Sequence, residues 1–246
     1  MFEPSKQFYK DVQNHITKVV RQSGSEILYQ MSLDHFQEPG KMLRPRLVSE
    51  LGRLLQVDPD HQLKWAAAVE MLHNATLIHD DLQDGDRLRR GRPTMWQKYG
   101  AAQAINLGDY LMLLAPSLFL ESDLEPHKKA SLARLYSRMA TEIVNGQSIE
   151  PALKSISEAR QIENAYMQCI SQKTSALFSG VAEGTAVLSS VAPEVQVQLA
   201  KIFREIGDLF QIQDDVLDLY GDKKRDQAGS DIKEGKVSYL VVQHLK

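Results

Sequence analysis

The sequence predicts an all-α protein, on three observations. Apolar residues recur with a period near 3.6 along almost the whole chain, and no stretch alternates with period two for long. The 9 prolines fall mostly between periodic segments, which is helix punctuation rather than strand-and-turn spacing. Of 246 residues, 43% are hydrophobic and 25% charged, a balance that supports a sizeable core and argues against disorder. The predicted helices cover residues 5–32, 43–55, 60–83, 100–120, 126–149, 158–188, 194–220 and 236–246. Prolines 4, 45, 59, 126 and 193 lie at or near the starts of five of these segments. Asp58-Pro59-Asp60, Ser122-Asp123 and Ser157-Glu158 supply N-terminal caps for the third, fifth and sixth. In the third helix Leu72, Ala75, Thr76, Ile78 and His79, with Ala66, Ala67 and Ala68, read either as small residues facing a cavity or as close helix packing through alanine. With no repeat, low-complexity tract or Gly/Ser linker, residues 1–246 read as one domain.

Bulk properties narrow the functional class. A net charge of −3 argues against a nucleic-acid surface. The single Cys169 permits no internal disulfide and suits a reducing compartment. No basic segment followed by an apolar one marks the N-terminus as a signal peptide. The longest apolar run, Leu111 to Leu120, is interrupted by Pro116 and Ser117 and is too short to span a bilayer. A soluble, cytoplasmic protein is expected.

Two acidic clusters carry the chemistry: Asp80-Asp81-Leu82-Gln83-Asp84 and Asp214-Asp215-Val216-Leu217-Asp218. Each ends a helix-patterned segment, where the macrodipole is negative and carboxylates are disfavoured. Asp80 and Asp84 share a helical face at i and i+4, as do Asp214 and Asp218. A multivalent cation would supply the missing positive charge. Oxygen-only ligands favour a hard ion, Mg²⁺ before Zn²⁺ or Cu²⁺, and such sites are commonly completed by substrate phosphates. Beside the first cluster stand Arg87, Arg89, Arg90 and Arg92, and upstream of it Lys41 and Arg44. Guanidinium groups bind phosphate through a planar fork, while lysine offers a point charge. Acidic and basic blocks side by side fit a metal-bridged diphosphate better than a nucleic-acid backbone, which the carboxylates would repel.

These residues resemble the trans-prenyl diphosphate synthase (polyprenyl synthetase) family, from about Gly40 to the last residue. Gly40-Lys41-Met42-Leu43-Arg44-Pro45 resembles its isopentenyl-diphosphate loop, and His73 through Arg90 its first aspartate-rich motif. Lys173-Thr174 matches its allylic-diphosphate pair, and Phe210 through Asp218 its second aspartate-rich motif. Gly229-Ser230-Asp231-Ile232 followed by Lys236 resembles its C-terminal diphosphate-binding stretch. The resemblance implies a helical bundle of the isoprenoid synthase type around a deep central cavity, a homodimer, and an Mg²⁺-dependent enzyme joining isopentenyl diphosphate to an allylic diphosphate. It implies metal ligation by Asp80, Asp84 and Asp214, with Asp81 and Asp218 supporting or coordinating through water. Arg89, Lys173 and Lys236 would hold the allylic diphosphate; Gly40, Lys41, Arg44, His73 and Arg90 the isopentenyl diphosphate. Thr174 and Gln211 would face the reacting carbons. His73 is open between this role and that of a core histidine, and Asp81 and Asp215 between site residues and solvated acids. His79, Trp96 and Tyr99 are assigned packing or supporting contacts.

Ala75 and Thr76 stand five and four positions before Asp80, where members that stop at farnesyl often carry an aromatic; their small size implies a geranylgeranyl or longer product. Leu72, Met71, Met112 and Phe119 are further candidates for the cavity floor. Three departures stand out: Gln227 where a basic residue is usual, Glu150 for the usual Asp, and an end about ten residues into the helix after the second motif, apparently lacking the family's last helices. The competing readings are a non-catalytic subunit of a heteromeric synthase and a terpene cyclase or other prenyltransferase of the same fold.

Overall fold

The computed structural model describes residues 6–38, 40–156, 158–189, 191–221 and 235–245. Helices dominate them, as periodicity predicts: α1 (Lys6–Ser23), α2 (Glu26–Phe36), α3 (Leu43–Leu54), α4 (Pro59–Asp84), α5 (Met95–Tyr99), α6 (Ala101–Leu114), α7 (Ser117–Leu120), α8 (Pro126–Leu153), α9 (Ala159–Ile170), α10 (Ala176–Leu188), α11 (Pro193–Tyr220) and α12 (Tyr239–His244).

The differences from the predicted elements have local causes. The segment predicted at 5–32 is two helices, because Gly24 and an extended Ser25 interrupt it; the Ser25 Oγ accepts from the Leu28 N–H at 3.4 Å. Pro116 lacks an N–H and divides 100–120 into α6 and α7. Pro151 lies within the last turn of α8 without ending it. Asp58 caps α4 as predicted, its Oδ1 accepting from the N–H groups of Asp60 at 2.9 Å and His61 at 3.4 Å, with Pro59 in the first turn. Ser157 lies outside the described residues, and Glu158 makes no side-chain cap hydrogen bond to α9.

A small hairpin is the element that helical periodicity does not reveal. Strands β1 (Leu88–Arg89) and β2 (Arg92–Pro93) pair antiparallel, joined through Arg90 and Gly91. Both linking residues have positive φ, 54° and 76°, the signature of a type I′ turn. The turn fixes where Arg89 and Arg90 leave the backbone.

Over the described residues the chain forms two compact units, Met1–Arg134 with Gly184–Val191, and Leu135–Glu183 with Ala192–Lys246. In the first, α4 is buried on most of its faces and packs against α1, α3, α5, α6 and α7. Trp65, Ala66, Ala67, Ala68, Val69, Met71, Leu72, Ala75 and Ile78 are all fully buried. The Trp65 ring meets Phe119 edge-on, with centroids 5.8 Å apart. In the second, Leu153, Tyr166, Cys169, Ile170 and Val242 form a core against which Ile149, Ile212, Val237 and Tyr239 pack. Among the described residues, no helix is long and apolar enough to cross a membrane.

The Asp58 cap generates a direct stability test. Asp58→Ala removes the acceptor at the start of α4 and is expected to lower unfolding free energy by about 1 kcal/mol. Urea unfolding of the two proteins at neutral pH measures this.

Candidate active site

The first acidic cluster occupies the last turns of α4, with Gly85 in the left-handed conformation ending the helix. No basic residue lies in that last turn to offset the negative end of the dipole. Its three aspartates differ. Asp81 is buried, and its Oδ1 accepts from the Nε of Arg89 at 2.6 Å while the Arg89 Nη2 lies at the same distance. Asp80 is half-buried and Asp84 exposed. Burial pushes the Asp81 carboxyl above the usual range, and the Arg89 hydrogen bond pulls it back. The reading of Asp81 as a solvated acid is therefore corrected: it is a buried carboxylate that anchors the hairpin to the end of α4.

Other contacts hold the hairpin beside the cluster. The Thr94 hydroxyl and the Trp96 indole N–H both donate to the Asp86 carbonyl, at 2.8 and 2.7 Å. Arg90 donates to the Glu38 carbonyl at 2.6 Å, and its guanidinium lies against Gly40, where a Cβ would come within 2.3 Å of Nη2. Gly40 and Arg90, separated by fifty positions in the predicted isopentenyl-diphosphate set, are thus brought together. Lys41 is exposed just ahead of α3, and Arg44 is half-buried in its first turn.

Behind these cations runs a polar relay. The His35 Nε2 hydrogen-bonds the Asn74 Oδ1 at 2.9 Å, and the Asn74 amide donates to the Glu70 carboxylate at 2.9 Å. Burial lowers the Arg44 guanidinium to about 10, with Glu70 opposing the shift. Burial likewise lowers His35 to about 4, reinforced by Arg89 and Arg90. His73 is also held well below its ordinary value by burial and then by Arg44, Arg89 and Arg90, so it is neutral at pH 7. A pocket of about 140 Å³ opens here, lined by Asp34, His35, Asn74, Asp81, Arg89 and Arg90 among others. His35, Glu70 and Asn74 were not singled out from the sequence. The one signal was a glutamate and an asparagine inside an apolar helical run.

His79 lies against α6, its Nε2 3.3 Å from the Ile105 carbonyl and 3.5 Å from Asp109. Tyr99 and Lys98 both donate to Asp34. The supporting contacts assigned to His79, Trp96 and Tyr99 match these positions. Ala75 is fully buried, and the Thr76 hydroxyl donates to the His73 carbonyl of its own helix at 2.8 Å.

In the second unit the predicted pair Lys173-Thr174 falls in a π-helical turn, Ser171–Ser175, between α9 and α10. Such turns widen the backbone spiral and occur frequently at functional sites. Glycines flank the turn on both neighbouring helices. A Cβ at Gly146 of α8 would come within 2.4 Å of the Lys173 nitrogen, and one at Gly207 of α11 within 2.6 Å of the Ser175 Cα. Any side chain at either position would displace the turn. Lys173 donates to Glu150 at 2.5 Å, so the longer carboxylate still reaches it. Cys169 is buried, its Sγ 3.4 Å from the Gly146 carbonyl, and burial raises the thiol to about 12, which leaves it inert.

The second acidic cluster ends α11, again with no basic residue in the last turn. Asp214 is half-buried; Asp215 and Asp218 are buried. Asp215 accepts three hydrogen bonds: from the Tyr166 hydroxyl at 2.6 Å, the Gln211 amide at 2.8 Å and the Tyr239 backbone N–H at 2.7 Å. The reading of Asp215 as a solvated acid is corrected as well. The other end of the Gln211 amide, Oε1, accepts from the Thr174 hydroxyl at 2.8 Å. Lys236 lies just ahead of α12, whose first N–H is the one bound to Asp215. The stretch Gly229-Ser230-Asp231-Ile232 and the departure at Gln227 lie outside the described residues.

Among the described residues no three His, Cys, Asp or Glu side chains form a group that could hold a metal by themselves. Asp80 with Asp84 offers oxygen donors alone, one helical turn apart on one face, and this donor chemistry suits a hard divalent ion whose coordination is completed by phosphate oxygens.

Comparison with known proteins accords with the residues just described. The polyprenyl synthetase family model matches residues 25–246, and the chain belongs to that family. Its members transfer prenyl groups and use a divalent metal to bind diphosphate. The chain is 37% identical over 222 residues to the short chain isoprenyl diphosphate synthase of Methanocaldococcus jannaschii, covering 89% of this chain and 66% of that relative. It is 33% identical over 246 residues to the geranylgeranyl diphosphate synthase of Saccharolobus solfataricus, covering 97% and 73%. The crystal structure of geranylgeranyl pyrophosphate synthetase from Pyrococcus horikoshii superposes with a TM-score of 0.87 at 31% identity, covering 96% of this chain and 72% of that one. The chain thus spans about two thirds to three quarters of the length of these relatives.

The half-buried His35 yields a pH prediction. His35 titrates near 4 when folded and near 6.5 when unfolded, so between these values the unfolded chain binds more protons. Stability is retained above pH 6.5 and falls as pH drops toward 4. Urea midpoints at pH 7.5 and pH 5 are expected to show this loss, and His35→Gln should shrink the difference between the two midpoints.

Proposed function

We propose that the protein is an Mg²⁺-dependent all-trans polyprenyl diphosphate synthase that condenses isopentenyl diphosphate with an allylic diphosphate, giving geranylgeranyl diphosphate or a longer product. The observation that carries this reading is the π-turn at Lys173-Thr174, locked by Gly146 and Gly207 and hydrogen-bonded through Thr174 to Gln211. It supplies a lysine for diphosphate and a hydroxyl and amide for a carbocation, on adjacent residues of one rigid element. Family membership and the names of the relatives support the same activity.

In this reading Asp80 and Asp84 at the end of α4, and Asp214, aided by Asp218, at the end of α11, would hold magnesium. The chemistry a bound metal would supply is neutralisation of the charge on the allylic diphosphate as a leaving group. Arg89, Lys173 and Lys236 bind that diphosphate. Arg89 and Lys173 are already oriented by Asp81 and Glu150, which limits the side-chain entropy lost on binding. Gly40, Lys41, Arg44, His73 and Arg90 hold isopentenyl diphosphate, with His73 contributing as a neutral group. The Lys173 carbonyl, Thr174 and Gln211 stabilise the allylic cation through oriented dipoles. Holding the second substrate's double bond beside that carbon makes the attack effectively unimolecular. The proton is then lost from the new carbon skeleton to the departing diphosphate. Residues 1–246 would act as one functional domain, in the cytoplasm. A homodimer belongs to the same proposal, supported by exposed Ile105 and Leu113 on α6.

Two measurements test this reading. With Mg²⁺, farnesyl diphosphate and isopentenyl diphosphate, mass analysis should reveal diphosphates longer than the primer, and chelating the metal should abolish them. Absence of any elongated product from folded protein with metal present would favour a non-catalytic subunit. Ala75→Phe or Ala75→Tyr should shorten the product by roughly one or more isoprene units, since filling a buried position below the first cluster shortens the space for the growing chain. An unchanged product distribution would place the floor elsewhere, with Leu72 and Phe119 the next candidates.

A further inference from the structure

The hydrogen bonds around Asp215 have a direction, and that direction bears on the reaction. A carboxylate only accepts, so the Gln211 amide turns its NH₂ toward Asp215, at 2.8 Å. This leaves the amide oxygen facing the π-turn, where the Thr174 hydroxyl donates to it, also at 2.8 Å. With its proton committed to Gln211, the Thr174 oxygen presents only lone pairs elsewhere. If the amide were reversed, its NH₂ would donate to Thr174 and the hydroxyl proton would point outward. That arrangement would repel a developing cation rather than attract it.

Two more donors hold the Asp215 carboxylate in place. The Tyr166 hydroxyl from α9, at 2.6 Å, and the Tyr239 N–H at the start of α12, at 2.7 Å, both bind Oδ2. Oδ1 is thereby left to Gln211. Burial pushes the Tyr166 phenol above its ordinary value, so it remains a donor at working pH. Tyr166 is itself buried in the core with Leu153, Cys169, Ile170 and Val242, which fixes its ring.

We propose that Asp215 and Tyr166 are positioning residues for prenyl transfer: they orient the Gln211 amide, and through it the Thr174 hydroxyl, so that oxygen lone pairs face the allylic carbon as its positive charge develops. This rests on the synthase activity proposed above and adds a role for two residues that touch no substrate. The polarity runs from the carboxylate through the amide to the hydroxyl, a fixed row of dipoles with its negative end toward the reacting carbon. Preorganised dipoles of this kind act chiefly in the transition state.

The test uses the full chain with Mg²⁺, farnesyl diphosphate and isopentenyl diphosphate. Asp215→Asn removes the obligate acceptor and frees the amide to turn. It is expected to lower kcat about 10²-fold, the scale of losing one preorganised dipole, while both KM values stay within about threefold. The magnesium concentration for half-maximal rate and the Kd of unreactive farnesyl thiodiphosphate should likewise remain unchanged. Combining Asp215→Asn with Gln211→Glu restores the polarity, because the new amide donates to the new carboxylate, which still accepts from Thr174. This pair should recover about tenfold or more of the lost kcat. Tyr166→Phe should lower kcat about tenfold with the same unchanged KM values.

A raised magnesium requirement with kcat intact would overturn the proposal and make Asp215 a metal ligand. Equal loss in the single and the exchanged variants would overturn it in favour of a purely structural role. Should Asp215→Asn fail to fold, as judged by circular dichroism, Tyr166→Phe carries the test, and an unchanged kcat overturns the proposal. A wild-type chain that makes no product would defeat the synthase reading, and this one with it. An active wild type with either adverse result defeats the positioning role alone.

Discussion

Negative charge at the negative end of a helix is the constraint on which both halves of this chain depend. Helices α4 and α11 each finish in three aspartates without a basic residue in the last turn. Left alone, those ends would be disfavoured. In each case the middle aspartate is turned inward, buried, and satisfied by protein donors: Asp81 by Arg89, and Asp215 by Tyr166, Gln211 and Tyr239. A buried carboxylate that has its partners ties elements together, whereas one without them would be strongly destabilising. Asp81 thereby holds the hairpin to α4, and Asp215 holds α9 and the start of α12 to α11.

The inward aspartates also organise the cations. Arg89 cannot swing freely while it binds Asp81, and the type I′ turn that follows sets the departure of Arg90. Behind them, the His35–Asn74–Glu70 relay places a buried carboxylate near Arg44. The resulting pocket surface is cationic but ordered. His35 in its lining is kept neutral, so most of its positive charge resides on guanidinium groups, whose planar forks match phosphate oxygens.

The π-turn places a different kind of order in the second half. Its wider spiral is accommodated because Gly146 and Gly207 let α8 and α11 approach the backbone of residues 173 and 175. Without those glycines, Thr174 and Gln211 would not be held in hydrogen-bonding contact. The geometry of this turn therefore depends on two residues that have no side chain at all, and on a backbone conformation that no simple periodic pattern announces.

Periodicity and punctuation in the sequence determined that the chain is helical, where α3, α4 and α11 run, and that two carboxylate clusters close long helices, because a repeat of 3.6 and the charge of a helix end are local properties. Lys173, Thr174 and Gln211 were singled out by resemblance to the family's motifs rather than by these local properties. Only the tertiary structure decided how each aspartate is placed, since Asp80 and Asp81 are neighbours in sequence yet one is half-buried and the other buried against Arg89. It likewise decided the hairpin, the neutral state of His73 and the partners of Asp215, which come from residues 49 and 24 positions away as well as from the adjacent turn. Burial and long-range partners are properties of packing, and no window of sequence short enough to show a period contains them.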